Sequence, residues 1–447
     1  MWRELGKLFS IHRNRLQVIL QHHINYGNRL AFTADCWSAR NRTEFSAITV
    51  HWIDSNWKIQ KNLLDIVPLI EPIHSGEYLA RIFLSVTDFF QISPAILSIT
   101  RDNASANNVM ISTIEADLQE RSALEEQNIQ QPWPFEKKEG DIYCIAHVIN
   151  IAVQSALKEI KAVPAENPEV YRQEQNQASI SIRDTTVIIT ALEKLRKHIY
   201  IFRNRRVWKN ALKNQLIAFN IRVKTLKLDM PVRWNSTYEM LAIALEQRLA
   251  INAVCITQQF DSSVRDIRLL DEDWDQLESI SSFFKVFVST TVKMQSTSHP
   301  TLNEVIPRYH LLIKNVIEQL RKYPLNSILS KACLVSIGKL REYYIGTAIN
   351  HSYAGIATVC DPRFKLTVFN KLLPPNSLDT FKKTVEKQFV ECCIKYQRRQ
   401  RDIEVRELEL QVASEAVLKP RIIIVFTLMM SYFQLKLQLL SMSGPGI

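Results

Sequence analysis

"SITRDNASANN", residues 98–108, decides how this chain is read. An alternating apolar run ends at Asp102, and small polar residues follow with no glycine among them. That is the pattern of a strand passing straight into a helix start. The aspartate then has two readings. It can cap the helix with its side chain. It can also be half of a carboxylate pair, if a second aspartate ends a neighbouring strand.

The flanking sequence supplies the neighbour. "RLAFTADCWS", residues 29–38, alternates Leu30, Phe32, Ala34 and Cys36 with Thr33 and Asp35, the period of a strand. "EFSAITVHWI" follows with Ile48, Val50 and Trp52 on one face, "DSN" turns the chain, and "WKIQKNLLDIVPL" reads as a third strand. Leu79, Ile82, Phe83, Val86 and Phe90 then recur at helical spacing. "AILSITRD" is a fourth strand, and Asn103 or Ser105 is placed to cap a helix over 106–126. After the loop "QQPWPFEKKEG", the stretch "DIYCIAHVINIAVQSALKEI" is a short fifth strand running into a helix. A helix over 5–29 precedes all of this. An antiparallel hairpin unit followed by parallel β-α-β can set the fourth strand beside the first. Asp35, at the end of the first, and Asp102, at the end of the fourth, would then meet. Hard cations such as Mg²⁺ take oxygen ligands of this kind. Two such ions about 3.5–4 Å apart can clamp the attacking and leaving oxygens of a phosphodiester.

Beyond residue 160 the character changes. "AENPEVYRQEQNQA", residues 165–178, is polar and linker-like. From there to about residue 412 nearly everything has helical period, over 186–200, 209–221, 236–257, 274–294, 302–321, 328–345 and 376–412. The expected organisation is an α/β core over 1–160 with a mixed five-stranded sheet, an all-α domain over 161–412, and an atypical apolar tail over 413–447. The most apolar run, "IIIVFTLMMSYFQL" over 422–435, is shorter than the ~18 residues that suggest a membrane span, so no membrane partner is expected.

Composition narrows the function classes. The chain has 447 residues, a formal charge of +11, and only 9 glycines. Scarce glycine favours helices, and the basic excess favours a polyanion partner, nucleic acid being the common one. Seven scattered cysteines with no C-x-x-C pair argue against a disulfide framework. The densest basic stretch, "KLRKHIYIFRNRRVWKNALK" over 194–213, holds eight Lys or Arg and no acid, with Tyr200, Phe202 and Trp208 interleaved. Arg203, Arg205 and Arg206 there are candidate phosphate contacts on a DNA-tracking surface. The competing reading is a solvated helix with its aromatics in a core.

Seven segments in one order carry a family resemblance: "TADCWSARN", "HWIDSNWKIQ", "HSGEYLA", "TRDNASANN", "YCIAHVINIAVQ", "LKLDMPVRWNSTYEML" and "CDPRFKL". Together they resemble the central region of hAT-superfamily transposases, the Activator-like and ricesleeper-like group, from about residue 5 to about residue 370. The resemblance implies an RNase H-like core followed by a large helical insertion domain, a DNA partner, a nuclear location, and Mg²⁺ or Mn²⁺ if the site is active. It implies that Asp35 and Asp102 are the first two acids of a DDE-type triad. Cys144 and His147 match the family's C-x-x-H motif. One Cys and one His are half of a tetrahedral zinc site, so zinc is not expected; either His147 sits near the active-site face and contacts DNA, or Cys144 is simply a buried small apolar residue. Arg233, Trp234 and Asn235 match the R-W-N-S motif. Arg233 could pair with phosphate and Trp234 could stack on a base, or Trp234 could be a core anchor and Ser236 a helix cap. The family's third acid lies in a C-terminal segment that also serves dimerisation. Nothing here matches that segment, although Glu386, Glu391, Glu404 and Glu407 lie near the end. The amino-terminal BED zinc finger of many members has no counterpart either. The expectation is a transposase-derived DNA-binding protein that is catalytically incomplete, with a host-adapted regulatory protein or a protein-interaction module as alternatives.

Overall fold

The computed structural model describes residues 2–39, 41–71, 73–124, 134–160, 190–230, 234–257, 268–294, 299–344, 352–372 and 375–413. The linker-like stretch 165–178 and the apolar run 422–435 lie outside them.

Five strands form one open sheet: β1 (Leu30–Ser38), β2 (Glu44–Ile53), β3 (Ile59–Leu69), β4 (Ile96–Arg101) and β5 (Asp141–Tyr143). Their order across the sheet is β3-β2-β1-β4-β5. β1–β2 and β2–β3 are antiparallel, while β1–β4 and β4–β5 are parallel. This mixed sheet is the RNase H-like arrangement, and it is not closed into a barrel. The fourth strand therefore does lie beside the first.

Helices α1 (Trp2–Asn25), α2 (Gly76–Phe89) and α3 (Ser105–Leu124) share one core with the sheet. Leu30, Phe32, Ile48, Val50, Ile96 and Ile99 are buried with Phe83, Ile111 and Ile114. The period-2 positions of the strands meet the period-3.6 stripe of the helices, which is why both patterns were readable. The start of α2 is held closely against α3. A Cβ on Gly76 would stand 2.4 Å from Val109 Cβ and 2.5 Å from the Ala106 carbonyl oxygen.

A one-turn helix, α4 (Lys137–Gly140), precedes β5, and α5 (Ile145–Glu159) follows it. Helix α5 buries Val148, Ile149, Ala152, Val153 and Ala156 in a second core, made with the helices beyond it. Those helices are α6 (Ala191–Asn204), α7 (Arg206–Ala218), α8 (Trp234–Glu246), α9 (Arg248–Thr257), α10 (Asp271–Met294), α11 (Leu302–Leu320), α12 (Ile328–Tyr344), α13 (Ser352–Cys360) and α14 (Pro375–Ala413). So α5 lies before the boundary expected at residue 160 yet packs with the helical region. The single helix expected over 236–257 is two, α8 and α9, bent by 69°. Gln247 sits at the break, fully buried, with its side chain donating to the Lys224 carbonyl at 2.8 Å.

The chain divides into two compact units, residues 1–396 and 397–447. The described part of the second is the remainder of α14. No single helix among the described residues is long and apolar enough to cross a membrane.

Candidate functional site

The parallel β1–β4 register pairs Phe32 with Ile99 and Thr33 with Thr100. Two residues further along each chain stand Asp35 and Asp102. Side chains alternate along a strand, so Asp35 and Asp102 follow Thr33 and Thr100 on the face opposite Phe32 and Ile99. The β4–β5 register pairs Arg101 with Tyr143, so Cys144 is the next position in the same row, and its amide donates to the Arg101 carbonyl at 2.9 Å. Asp35 on β1, with Asp102 and Cys144 one residue past the ends of β4 and β5, thus continue one line of the sheet register, here called the row. Burial above all, and then the charges of Asp35 and Asp102, push the Cys144 thiol up. Burial, then Asp102 and Asp35, act in the same direction on Cys36.

Asp35 does not end its strand. The antiparallel ladder with β2 continues past it, Asp35 opposite Ala47, to Ser38 opposite Glu44. The hairpin partner keeps β1 extended after its parallel neighbour has turned away. Trp37, on the same face as Asp35, is 40% exposed and stacks on Phe45 at 5.6 Å.

Asp102 does end its strand, and it makes the turn as well. Its Oδ1 accepts from the Ala104 amide at 2.9 Å and from Asn107 Nδ2 at 2.5 Å. Asp102 thus braces the turn into α3 without capping its first-turn amides, and Ser105, one of the two cap candidates, is the first residue of the helix. Both of these hydrogen bonds go to one carboxylate oxygen, so a role in the turn and a place in a carboxylate pair are compatible.

Beneath Asp102 lies a charged group that periodicity could not flag. Arg101 is 1% exposed. Its Nε and Nη2 donate to Asp141 Oδ1 and Oδ2 at 2.8 and 2.7 Å. Its Nη1 donates to the Asp102 carbonyl at 3.0 Å and its Nη2 to Asn108 Oδ1 at 2.7 Å. The guanidinium lies 4.3 Å from the Tyr143 ring centroid. Asp141 is 40 residues away in sequence, so no local signal announces the pair.

Cys144 is the N-cap position of α5, and His147 lies in its first turn, partly exposed. Helices α3 and α5 both begin at the row, and helix N-termini favour anions.

Among the described residues no third acid joins the row. Among the described residues no group of three or more His, Cys, Asp or Glu could hold a metal ion. Helix α14 packs through Phe381 and Val385 into the helical core, and Lys395 reaches Glu136 and Glu139 at 3.1 and 3.2 Å. Those two glutamates precede β5, whereas the row lies past its far end. Glu386 is exposed, and Glu391 faces Lys387 at 3.8 Å. Glu404 belongs to the second unit, and the Glu407 side chain is outside the described residues.

The basic stretch 194–213 separates into two populations. Lys194 pairs with Asp273 at 2.8 Å, and Arg196, 2% exposed, pairs with Asp229 at 2.7 Å. Phe202 and Trp208 are buried edge to face at 5.5 Å, so these aromatics serve the core. Arg203, Arg205, Arg206, Lys209 and Lys213 are exposed around the α6–α7 junction. Trp234 is 3% exposed, with Phe284 and Phe287 each 6.1 Å away. A base cannot stack on a ring enclosed in this way, so Trp234 is the core anchor of its two readings. Ser236 is not a cap. It ties to Met230, accepting from its amide at 2.8 Å and donating to its carbonyl at 3.1 Å. Asn235 is partly exposed, and Arg233 lies outside the described residues.

Residues 33–131 match the family described as the ZBED1 RNase-like domain, and residues 142–283 match the ZBED1 RNase-like helical domain. Among curated proteins the chain is similar to a Talaromyces stipitatus protein named as a transcriptional regulator, tpeD, with 26% identity over 80% of this chain and 39% of that one. It is similar to a Zea mays protein named as an AC transposase, with 22% identity over 80% and 39%. Zinc finger BED domain-containing protein RICESLEEPER 1 of Oryza sativa is 20% identical over 80% and 44%. The chain spans about two-fifths of the length of these relatives.

Proposed function

From its homology to the hAT-family BED-zinc-finger transposases, which holds at superfamily level, we propose that this chain is a DNA-binding protein of transposase descent. Its acid pair keeps a cation site without the full set of carboxylates that two-ion chemistry requires. The observation that carries this reading is the Asp35–Asp102–Cys144 row on an RNase H-like sheet.

The donor set fits one Mg²⁺ or Mn²⁺. Mg²⁺ is commonly held by one or two carboxylates, with water and substrate phosphate completing the shell. Asp35 and Asp102 would be those carboxylates. A bound ion would neutralise and orient a phosphodiester at the row. The chain's own residues do the rest. Asp102 is fixed in orientation by Ala104 and Asn107. The starts of α3 and α5 favour the phosphate charge. His147, in the first turn of α5, is assigned to the DNA side. Arg203, Arg205 and Arg206, with Lys209 and Lys213, provide sequence-independent phosphate contacts. Asn235 and Arg233 extend this assignment by family pattern only. The likeness to this family supports a nuclear location. Self-association would bring two such surfaces to one DNA.

The test is incubation with Mg²⁺ or Mn²⁺ and hairpin or terminal-repeat DNA. Binding without strand cleavage is expected. Metal-dependent nicking that disappears in Asp35→Ala and Asp102→Ala would show a complete site and overturn the reading of incomplete catalysis. A second reading, a host-adapted regulatory protein, is favoured by the relative named as a transcriptional regulator. Site-specific binding without any effect of Asp35→Ala would support it.

A further inference from the structure

We propose that Arg101 is a positioning residue for the acid pair: it holds Asp102 and the Cys144–His147 segment in one row. This rests on the reading of Asp35 and Asp102 as a cation site.

Arg101 and Asp141 have side chains 0% and 1% exposed. Taking two such charges out of water costs about as much as their attraction returns, and well-packed apolar pairs often replace them without loss of stability. The arrangement of the donors gives the pair a different use. The Arg101 guanidinium reaches three separate elements. It donates twice to Asp141 on β5, once to Asn108 on α3, and once to the backbone carbonyl of Asp102 between them. The Arg101 carbonyl in turn accepts from the Cys144 amide. One residue therefore contacts both chain segments that leave the sheet at the row.

The need for such a clamp is visible in β5. It is three residues long, an edge strand, and pairs with β4 at only three registered positions. So few registered positions leave the ladder alone little to hold the end of β5 in place. A slip of one residue would move Cys144 out of line with Asp102 and turn the start of α5. A bidentate guanidinium–carboxylate pair has a fixed fork geometry and removes that freedom. Tyr143 on the guanidinium face closes the remaining side.

The test uses the full chain and the variant Arg101→Met/Asp141→Leu, which removes both charges and keeps apolar volume. Arg101→Lys/Asp141 intact is the second variant, since it keeps charge and loses the fork. Two readouts are taken. The first is hydrogen exchange by mass spectrometry in peptides spanning 102–108 and 141–147, against core peptides containing Phe32 and Phe83. The second is Mn²⁺ binding by electron paramagnetic resonance. In both variants, exchange at the two row peptides is expected to accelerate at least tenfold while the core peptides are unchanged. Mn²⁺ binding is expected to weaken by a similar factor. Unchanged exchange at the row peptides would overturn the proposal. Acceleration throughout the sheet would also overturn it, because Arg101 would then be an ordinary structural brace. If the unaltered chain binds no Mn²⁺, the cation reading of the acid pair fails, while the exchange result still decides whether Arg101 positions the row.

Discussion

Asp35 and Asp102 each lie two residues past Thr33–Thr100, the last pair of the parallel β1–β4 ladder, and the charges of both act on the Cys36 and Cys144 thiols. The two aspartates are 67 residues apart in sequence. What joins them is a β-α-β crossover through α2, which returns the chain parallel to β1 and on the side away from the hairpin.

The exposed basic edge at the α6–α7 junction is predicted to dominate non-specific DNA affinity. Log affinity should fall linearly with log salt, with a slope of roughly 0.9 per phosphate neutralised. Arg203→Ala/Arg205→Ala/Arg206→Ala should flatten that slope by about 1–3. Lys194→Met removes a cation already paired with Asp273 and should leave the slope unchanged. Fluorescence anisotropy across a salt series reads both, and an unflattened slope in the triple variant would place the DNA surface elsewhere.

Trp234 is predicted to act on stability rather than on DNA. Truncating a buried aromatic costs about 3–5 kcal/mol. Trp234→Ala should therefore lower the urea midpoint sharply, while the fraction still folded binds DNA as before. A selective loss of affinity at unchanged stability would restore the stacking role.

Gly76→Ala is predicted to disrupt the α2–α3 junction. The added methyl would stand 2.7 Å from the Met110 amide and 2.5 Å from the Ala106 carbonyl, both backbone atoms of α3 that cannot rotate away. Gly140→Ala meets the Leu97 carbonyl at 2.5 Å. Thermal unfolding should show both variants destabilised, whereas Gly338→Ala, with nothing within 4 Å, should be neutral or slightly stabilising. Equal melting temperatures in all three would contradict this.

Two histidines set a pH dependence. Burial pushes His198 down to about 4 and His310 down to about 4. The His198 Nδ1 bonds the Lys194 carbonyl at 2.9 Å, and its Nε2 has no partner to receive a second proton's N–H. Both groups bind protons more readily unfolded, near 6.5, than folded. Their stabilisation is complete above about pH 6.5 and is lost as pH falls toward 4. For His198 the loss is on the order of 3 kcal/mol at most, and less for the more exposed His310. Urea titrations at pH 7.5 and 4.5 should show the drop, and His198→Phe should reduce it. A drop of the same size in that variant would assign the effect to other groups.

The sheet was legible because its strands bury one face, so Leu30, Phe32, Ile48 and Val50 recur at period 2. The pairing of β4 with β1 was legible as an order that a hairpin unit followed by parallel β-α-β can adopt. Three things were not legible. Arg101 looks like a surface residue until Asp141 is brought beside it by the fold. The aromatics of 194–213 and Trp234 have the same sequence appearance whether they face DNA or Phe284 and Phe287. The break at Gln247 interrupts a helical period that continues on both sides, and its side-chain bond to the Lys224 carbonyl joins residues 23 apart in sequence.

The central claim is that Asp35 and Asp102 together form one divalent-cation site. Titrating the full chain with Mn²⁺ in the presence of duplex DNA, with free ion followed by electron paramagnetic resonance, tests it most directly. One bound ion per chain is expected, with binding weakened at least tenfold in Asp35→Asn and equally in Asp102→Asn. Binding that survives in either variant, or that was absent from the start, would contradict it.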